Sequence, residues 1–208
     1  PATEPPPPSP TALARLARPA ARVAPSNPQP STESLARRDL VVAGPGVTAQ
    51  LAAAGAHAVA ARNAAHGAAL RRIGVSIGVG GSTAIGNTAS YRRVDVDRPD
   101  EVFAAAQAAL ASSAEPMVLR RPSRLLRLLA PIAGRFSDTF LVSNLGRLDL
   151  PGVSGLEFYP VARGRSAVAF GAAGLAGGRS TLTIRARDLD QADAEQLLDD
   201  VVRRLASI

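Results

Sequence analysis

Forty-two of the 208 residues are Ala, and this sets the tightest limit on what the chain can fold into. Only 46 Val, Ile and Leu, seven aromatics and one Met are left to fill a core. Ala buries little area, and apolar stabilisation scales with the area removed from water. The chain therefore supports one ordinary domain, or two small ones, with a thinly stocked interior. It has no Cys, which excludes a disulfide framework, a thiolate metal site and a Cys nucleophile. Its only two His, His57 and His66, exclude a histidine metal cluster.

No run of about 18 apolar residues occurs, and no basic-then-apolar segment opens the chain. The expected location is cytoplasmic. The single Met is Met117, so Pro1 is not an encoded start and the chain is expected to be a piece of a longer protein. All 24 basic residues are Arg, giving a net charge of +7. They are scattered, and few aromatics are present for base stacking, so nucleic acid is not the expected partner.

Ten of the 17 Pro fall within residues 1–30, including Pro5 to Pro8. Pro carries no N–H and fixes φ, so residues 1–36 read as a flexible linker, or a crossover from an upstream lobe. Residues 37–208 then form one lobe. Residues 39–43 are a strand candidate, closed by Gly44-Pro45-Gly46. Thr48 is the candidate N-cap of a helix over residues 49–65, in which Gly55 costs about 1 kcal/mol relative to Ala and points to close packing. Ile73, Val75, Ile77 and Val79 alternate with small residues and predict a strand over 72–79. A polar loop (80–88) and a strand (90–96) follow. Pro99 opens a helix to Ala111, with Asp97 as cap candidate. Pro122 opens another, to Ala133. Strands are expected at 138–144, ending in an Asn144-Leu145-Gly146 turn, and at 156–161, 167–173 and 181–187. A final helix runs from Asp190 to Leu205, with Leu197, Leu198, Val201, Val202 and Leu205 on one face. The result is an α/β two-layer sandwich with a mixed sheet.

Most of the candidate chemistry has an ordinary explanation. His57 and His66 lie nine apart, which aims no pair at one metal. Gly78-Val79-Gly80-Gly81 follows a strand, but it lacks Gly-Lys-Ser/Thr and leads into another strand, unlike a phosphate loop. Asp188, Asp190, Asp193 and Glu195 fit charges at a helix start. No Gly-x-Ser-x-Gly elbow is present. Two polar turns remain, Ile85-Gly86-Asn87-Thr88 and Val142-Ser143-Asn144-Leu145-Gly146. Ser143 and Asn144 are suited either to donating hydrogen bonds to a carbonyl or oxyanion, or to shaping a structural turn. Residue chemistry alone favours the turn.

The runs Arg72-Ile73-Gly74-Val75-Ser76-Ile77-Gly78-Val79, Ile85-Gly86-Asn87 and Phe140-Leu141-Val142-Ser143-Asn144-Leu145-Gly146, in this order, resemble the C-terminal half of condensation domains and polyketide-associated acyltransferases. The Ser-Asn-Leu-Gly form is most similar to the dimycocerosyl-transferase-like branch. The resemblance spans residues 36–208 and implies one lobe of a chloramphenicol acetyltransferase-like fold. It also implies transfer of a lipid or polyketide acyl group to an alcohol, from a coenzyme A or phosphopantetheine thioester on a carrier protein. Ser143 and Asn144 would face the developing oxyanion, while Asn87 and Gly146 would line the substrate tunnel. The family's His-His-x-x-x-Asp-Gly motif is absent from this chain, so the general base is expected on a missing N-terminal lobe, the implied partner. Peptide-bond formation by a condensation domain, and a non-catalytic docking relative, are the alternatives. Arg120, Arg121, Arg124 and Arg127 form the densest basic run. They suit either a solvated helix face or a docking patch for an acidic acyl carrier protein or the phosphates of coenzyme A.

Overall fold

A computed structural model describes residues 19–41, 46–68, 72–79, 90–112, 138–148, 152–153, 155–161, 167–175 and 178–207. Strand β1 (Ser34–Val41) is followed by helix α1 (Val47–Ala65), then β2 (Ile73–Val79) and β3 (Ser90–Val96). A 3-10 turn (Pro99–Glu101) leads into α2 (Val102–Ala111). Next come β4 (Phe140–Leu148), β5 (Val168–Leu175), β6 (Arg179–Ala186) and α3 (Gln191–Ala206). The strands form one mixed sheet in the order β1-β6-β5-β4-β2-β3. β4 runs parallel to β2 and β5, and the other pairs are antiparallel. This is the expected α/β sandwich, with the three helices packed on one face of the sheet.

The core lies between that face and the helices. Val75, Ile77, Phe140, Val142, Phe170 and Ile184 project into it with no exposed surface. Alternation with period two puts Gly74, Ser76, Gly78, Leu141, Ser143 and Ala169 on the other face. There Leu141 and Ala169 form a separate small apolar cluster with Tyr91.

Gly55 does what its position suggests. A Cβ there would stand 3.0 Å from Phe140 and 3.3 Å from Phe170, two buried rings paired edge to face at 5.6 Å. The helix can sit this close to β4 and β5 only because residue 55 has no side chain.

Several expectations are corrected. β1 starts at Ser34 instead of residue 39, because eight residues pair with β6 in continuous register, from Ser34 opposite Ala186 to Val41 opposite Arg179. The helix cap is Gly46, at φ +85°, and not Thr48, which lies in the first turn. Asp97 caps nothing. Instead its N–H donates to the Glu101 carboxylate at 3.3 Å. Residues 155–161 form no strand. They cross the second face of the sheet, where the Thr183 hydroxyl donates to the Phe158 carbonyl, and a Cβ at Gly171 would collide with that carbonyl. A segment lying across a sheet has no ladder to join. β4 continues to Leu148 past the expected turn, with a bulge between Asn144 and Arg147 that Gly146 accommodates at φ +71°. The helix expected over 122–133 lies outside the described residues.

The flexible-connector expectation does not hold for residues 20–26. Ala20, Ala21, Val23, Ala24 and Ser26 are buried, and this stretch is bonded along its length. The Ala21 N–H donates to the Arg72 carbonyl at 2.7 Å and the Ser26 N–H to that of Asp188 at 2.9 Å. Asn63 accepts from the Ala24 N–H and donates to the Arg22 carbonyl, both at 2.8 Å. Pro prevents a ladder, yet the side chains of α1 satisfy the backbone.

Candidate functional site

The two residues expected to act together are consecutive in β4, and a strand turns consecutive side chains to opposite faces. Ser143 lies on the face away from the helices, paired in register with Gly78 of β2. A Cβ at Gly78 would approach the Ser143 hydroxyl to 2.8 Å, so glycine leaves that hydroxyl its space. Among the described residues no partner takes it up. Ladder pairing of β4 to β2 ends here, at Gly78 and Ser143.

Asn144 faces the helices. Its amide donates to the Thr48 hydroxyl of α1 at 3.0 Å, and its carbonyl accepts from the Gly146 N–H at 2.9 Å. The second bond is local to the bulge of β4, and the first ties that bulge to the start of α1. The structure thus separates Ser143 from Asn144 instead of aiming both at one oxyanion. Period two was the available signal, since both residues fall inside a segment read as a strand.

Asn144 and Gly146, with Thr48, border a cleft of about 380 Å³ at this end of the sheet. Sequence reasoning did not find it, because its walls come from β1, α1, β4, β5, β6 and the end of α3. Asn87, Arg120, Arg121, Arg124 and Arg127 lie outside the described residues. The described residues carry 14 Arg against 14 Asp and Glu, so the whole +7 excess belongs to the other segments.

Several of the remaining ionisable groups are paired in networks that sequence reasoning missed. At the opposite end of β2 and β4, Arg72 is fully buried and paired with Asp95. Arg93 pairs with Asp95 at 2.6 Å and with Asp138 at 3.0 Å, while the Ser76 hydroxyl donates to Asp138. Burial pushes the Asp138 carboxyl above its ordinary range, against the pull of Arg93 and Ser76. Burial lowers Arg72 despite Asp95 beside it. At the start of α3, the Asp190 side chain caps the helix by accepting from the Asp193 N–H at 2.8 Å, as its position suggested. Asp193 accepts from the buried Arg62 at 2.8 Å and from the Ser26 hydroxyl, which together hold its carboxyl down at about 2. His57 lies 3.4 Å from Asp100, and His66 caps the end of α1 against the Arg62 carbonyl at 2.9 Å. The two His share no site. Among the described residues no group of three His, Asp or Glu is placed to hold a metal, and no helix is long and apolar enough to cross a membrane.

No protein-family model matches the sequence, and no curated protein matches it. Solved structures do. One is the condensation domain that mediates chain release from the enacyloxin polyketide synthase, with a TM-score of 0.56 at 11% identity over 96% of this chain and 47% of that one. A second is the nonribosomal peptide synthetase FmoA3, with a TM-score of 0.56 at 17% identity over 93% of this chain and 25% of that one. A third is a "probable dihydrolipoamide acetyltransferase" from Listeria monocytogenes 4b F2365, with a TM-score of 0.51 at 10% identity over 100% of this chain and 96% of that one. The chain spans about half the length of the enacyloxin condensation domain. At these identities the likeness establishes fold, and the dimycocerosyl-transferase-like detail stays with the sequence resemblance. The chain has the chloramphenicol acetyltransferase-like fold of one condensation-domain lobe.

Proposed function

We propose that the chain is the C-terminal lobe of a thioester-dependent acyltransferase, which moves a lipid or polyketide acyl group from coenzyme A or a carrier protein to an alcohol. The alcohol oxygen attacks the thioester carbonyl, the C–S bond breaks, and the alcohol proton passes through a base to the departing thiolate. The base is supplied by a second lobe carrying the His-His-x-x-x-Asp-Gly motif. Ser143 donates to the carbonyl oxygen as it gains negative charge. Such a donor acts best when it is fixed and uncommitted before the reaction. The observation that carries this reading is the Ser143 hydroxyl, without a partner among the described residues and beside a glycine that leaves it room.

The basic run Arg120, Arg121, Arg124 and Arg127 belongs to the same proposal as the docking patch for an acidic carrier. Amide formation is the second reading, favoured by the likeness to a nonribosomal peptide synthetase. An acceptor panel separates the two: alcohols turn over in the first case, amino acid thioesters in the second.

The test is thiol release by the complete two-lobed protein, with Ser143→Ala beside the parent. Loss of one oxyanion donor typically costs about 10²–10³ in kcat, and this variant is expected to keep the parent melting temperature. Unchanged kcat overturns the role of Ser143. Release of no thiol with any alcohol or amine acceptor overturns the acyltransferase reading itself.

A further inference from the structure

The cleft lies at the Asn144 end of the sheet, and Ser143 is not among the residues that line it. Its volume of about 380 Å³ falls in the range of small-molecule sites. Its apolar lining includes Leu40, Leu51, Ala172, Leu175, Leu182 and Leu205. Leu51 and Leu182 are buried and give it a greasy floor. Among the described residues no Asp or Glu lines it.

Three side chains at its rim have hydrogen-bond donor capacity to spare. The Gly146 N–H can only donate, which assigns the oxygen of Asn144 to that side and turns its nitrogen to Thr48. The Thr48 oxygen therefore accepts, so its own O–H is left to donate elsewhere, and one N–H of the Asn144 amide also remains. Among the described residues neither donor has an acceptor. Arg147 is exposed at the bulge and, among the described residues, pairs with no acid. An apolar pocket whose described mouth carries one cation, spare donors and no carboxylate suits a ligand with an apolar tail and a single negative, acceptor-rich head. A phosphate, at about −1.5 to −2, is poorly matched by one Arg. A carboxylate is matched by Arg in a forked, two-bond geometry.

We infer that this cleft binds a small aliphatic carboxylate, with its tail against Leu51, Ala172 and Leu182 and its head on Arg147, Thr48 and Asn144. The inference makes no use of the Ser143 hydroxyl, which lies on the opposite face of β4 from the Asn144 side chain.

Octanoate is the probe, with 1-octanol and acetate as comparators, each titrated into the full 208-residue chain by amide chemical shifts and calorimetry. Octanoate is expected to bind saturably and to perturb the amides of Thr48, Ala172 and Leu182. Arg147→Gln removes an exposed side chain, so the fold is retained, and the affinity should fall about tenfold to a hundredfold, the value of a charge-assisted hydrogen bond. Thr48→Val should fall less, and acetate should not saturate. Equal binding of 1-octanol and octanoate, an unchanged Kd in Arg147→Gln, or no saturable octanoate binding would each overturn the inference. None of these results bears on thiol release.

Discussion

Gly55→Ala places two opposed effects of known size on one atom. Replacing a helix-interior Gly by Ala gains about 1 kcal/mol from helix propensity and lost unfolded-state freedom. Against this, the new Cβ would meet Phe140 at 3.0 and 3.2 Å and Phe170 at 3.3 Å. Neither ring has exposed surface, and each holds the other edge to face at an interplanar angle of 78°, so neither can swing away. Overpacking of this kind costs about 1–3 kcal/mol. The steric effect should win, with a net loss of about 1 kcal/mol and a melting temperature about 2–4 °C lower for a chain of this size. The same shift lifts α1 from β4 and strains the bond between Thr48 and Asn144. Thermal unfolding of Gly55→Ala, Phe140→Leu and the double variant forms a cycle. With Phe140 replaced, the ring edge is gone and Gly55→Ala should turn neutral or stabilising, a coupling of about 1 kcal/mol or more. A Gly55→Ala variant more stable than the parent, with additive effects through the cycle, would refute the packing argument.

The carboxyl of Asp193 is held at about 2 in the fold against 3.8 unpaired, so its contribution is present above about pH 4 and is lost as pH falls through about 2. With 31% of this side chain exposed, solvent screening reduces the contribution to about 1–2 kcal/mol. Asp193→Asn should therefore be less stable than the parent by that amount at pH 6, with the two denaturant midpoints converging near pH 2. Gly171→Ala forces a Cβ into the Phe158 carbonyl and should detach residues 155–161 from the sheet, read as faster proteolysis within that segment while the helical circular dichroism signal is kept. The 208-residue chain alone, whose only His are His57 and His66, is expected to release no thiol above the buffer rate, and addition of the complementary lobe is expected to restore release.

The periodic elements were legible because each follows from local spacing. Ile73, Val75, Ile77 and Val79 alternate, so β2 is a strand with one apolar face. Leu197, Leu198 and Val201 fall on one side of α3 and all three are buried. Asp190 precedes a helix start and caps it. The opposite facing of Ser143 and Asn144 was also written in the sequence, in the period of a strand. Other features have no local signal. β1 reads as Arg-rich and polar along Leu35-Ala36-Arg37-Arg38-Asp39, and only its partner β6, some 140 residues later, makes it a strand from Ser34. Residues 20–26 look like linker until Arg62, Asn63 and Asp193 supply hydrogen bonds that Pro-rich backbone cannot make with itself. Arg72, Asp95, Arg93 and Asp138 meet because β2 lies between β3 and β4, and the cleft beside Thr48 exists because six elements end at one edge of the sheet. Sequence spacing acts over a few residues and decides what each segment becomes. Which charges are paired, and which donors are left over to bind, depends on register between segments far apart in the chain, and only the packed sheet sets that.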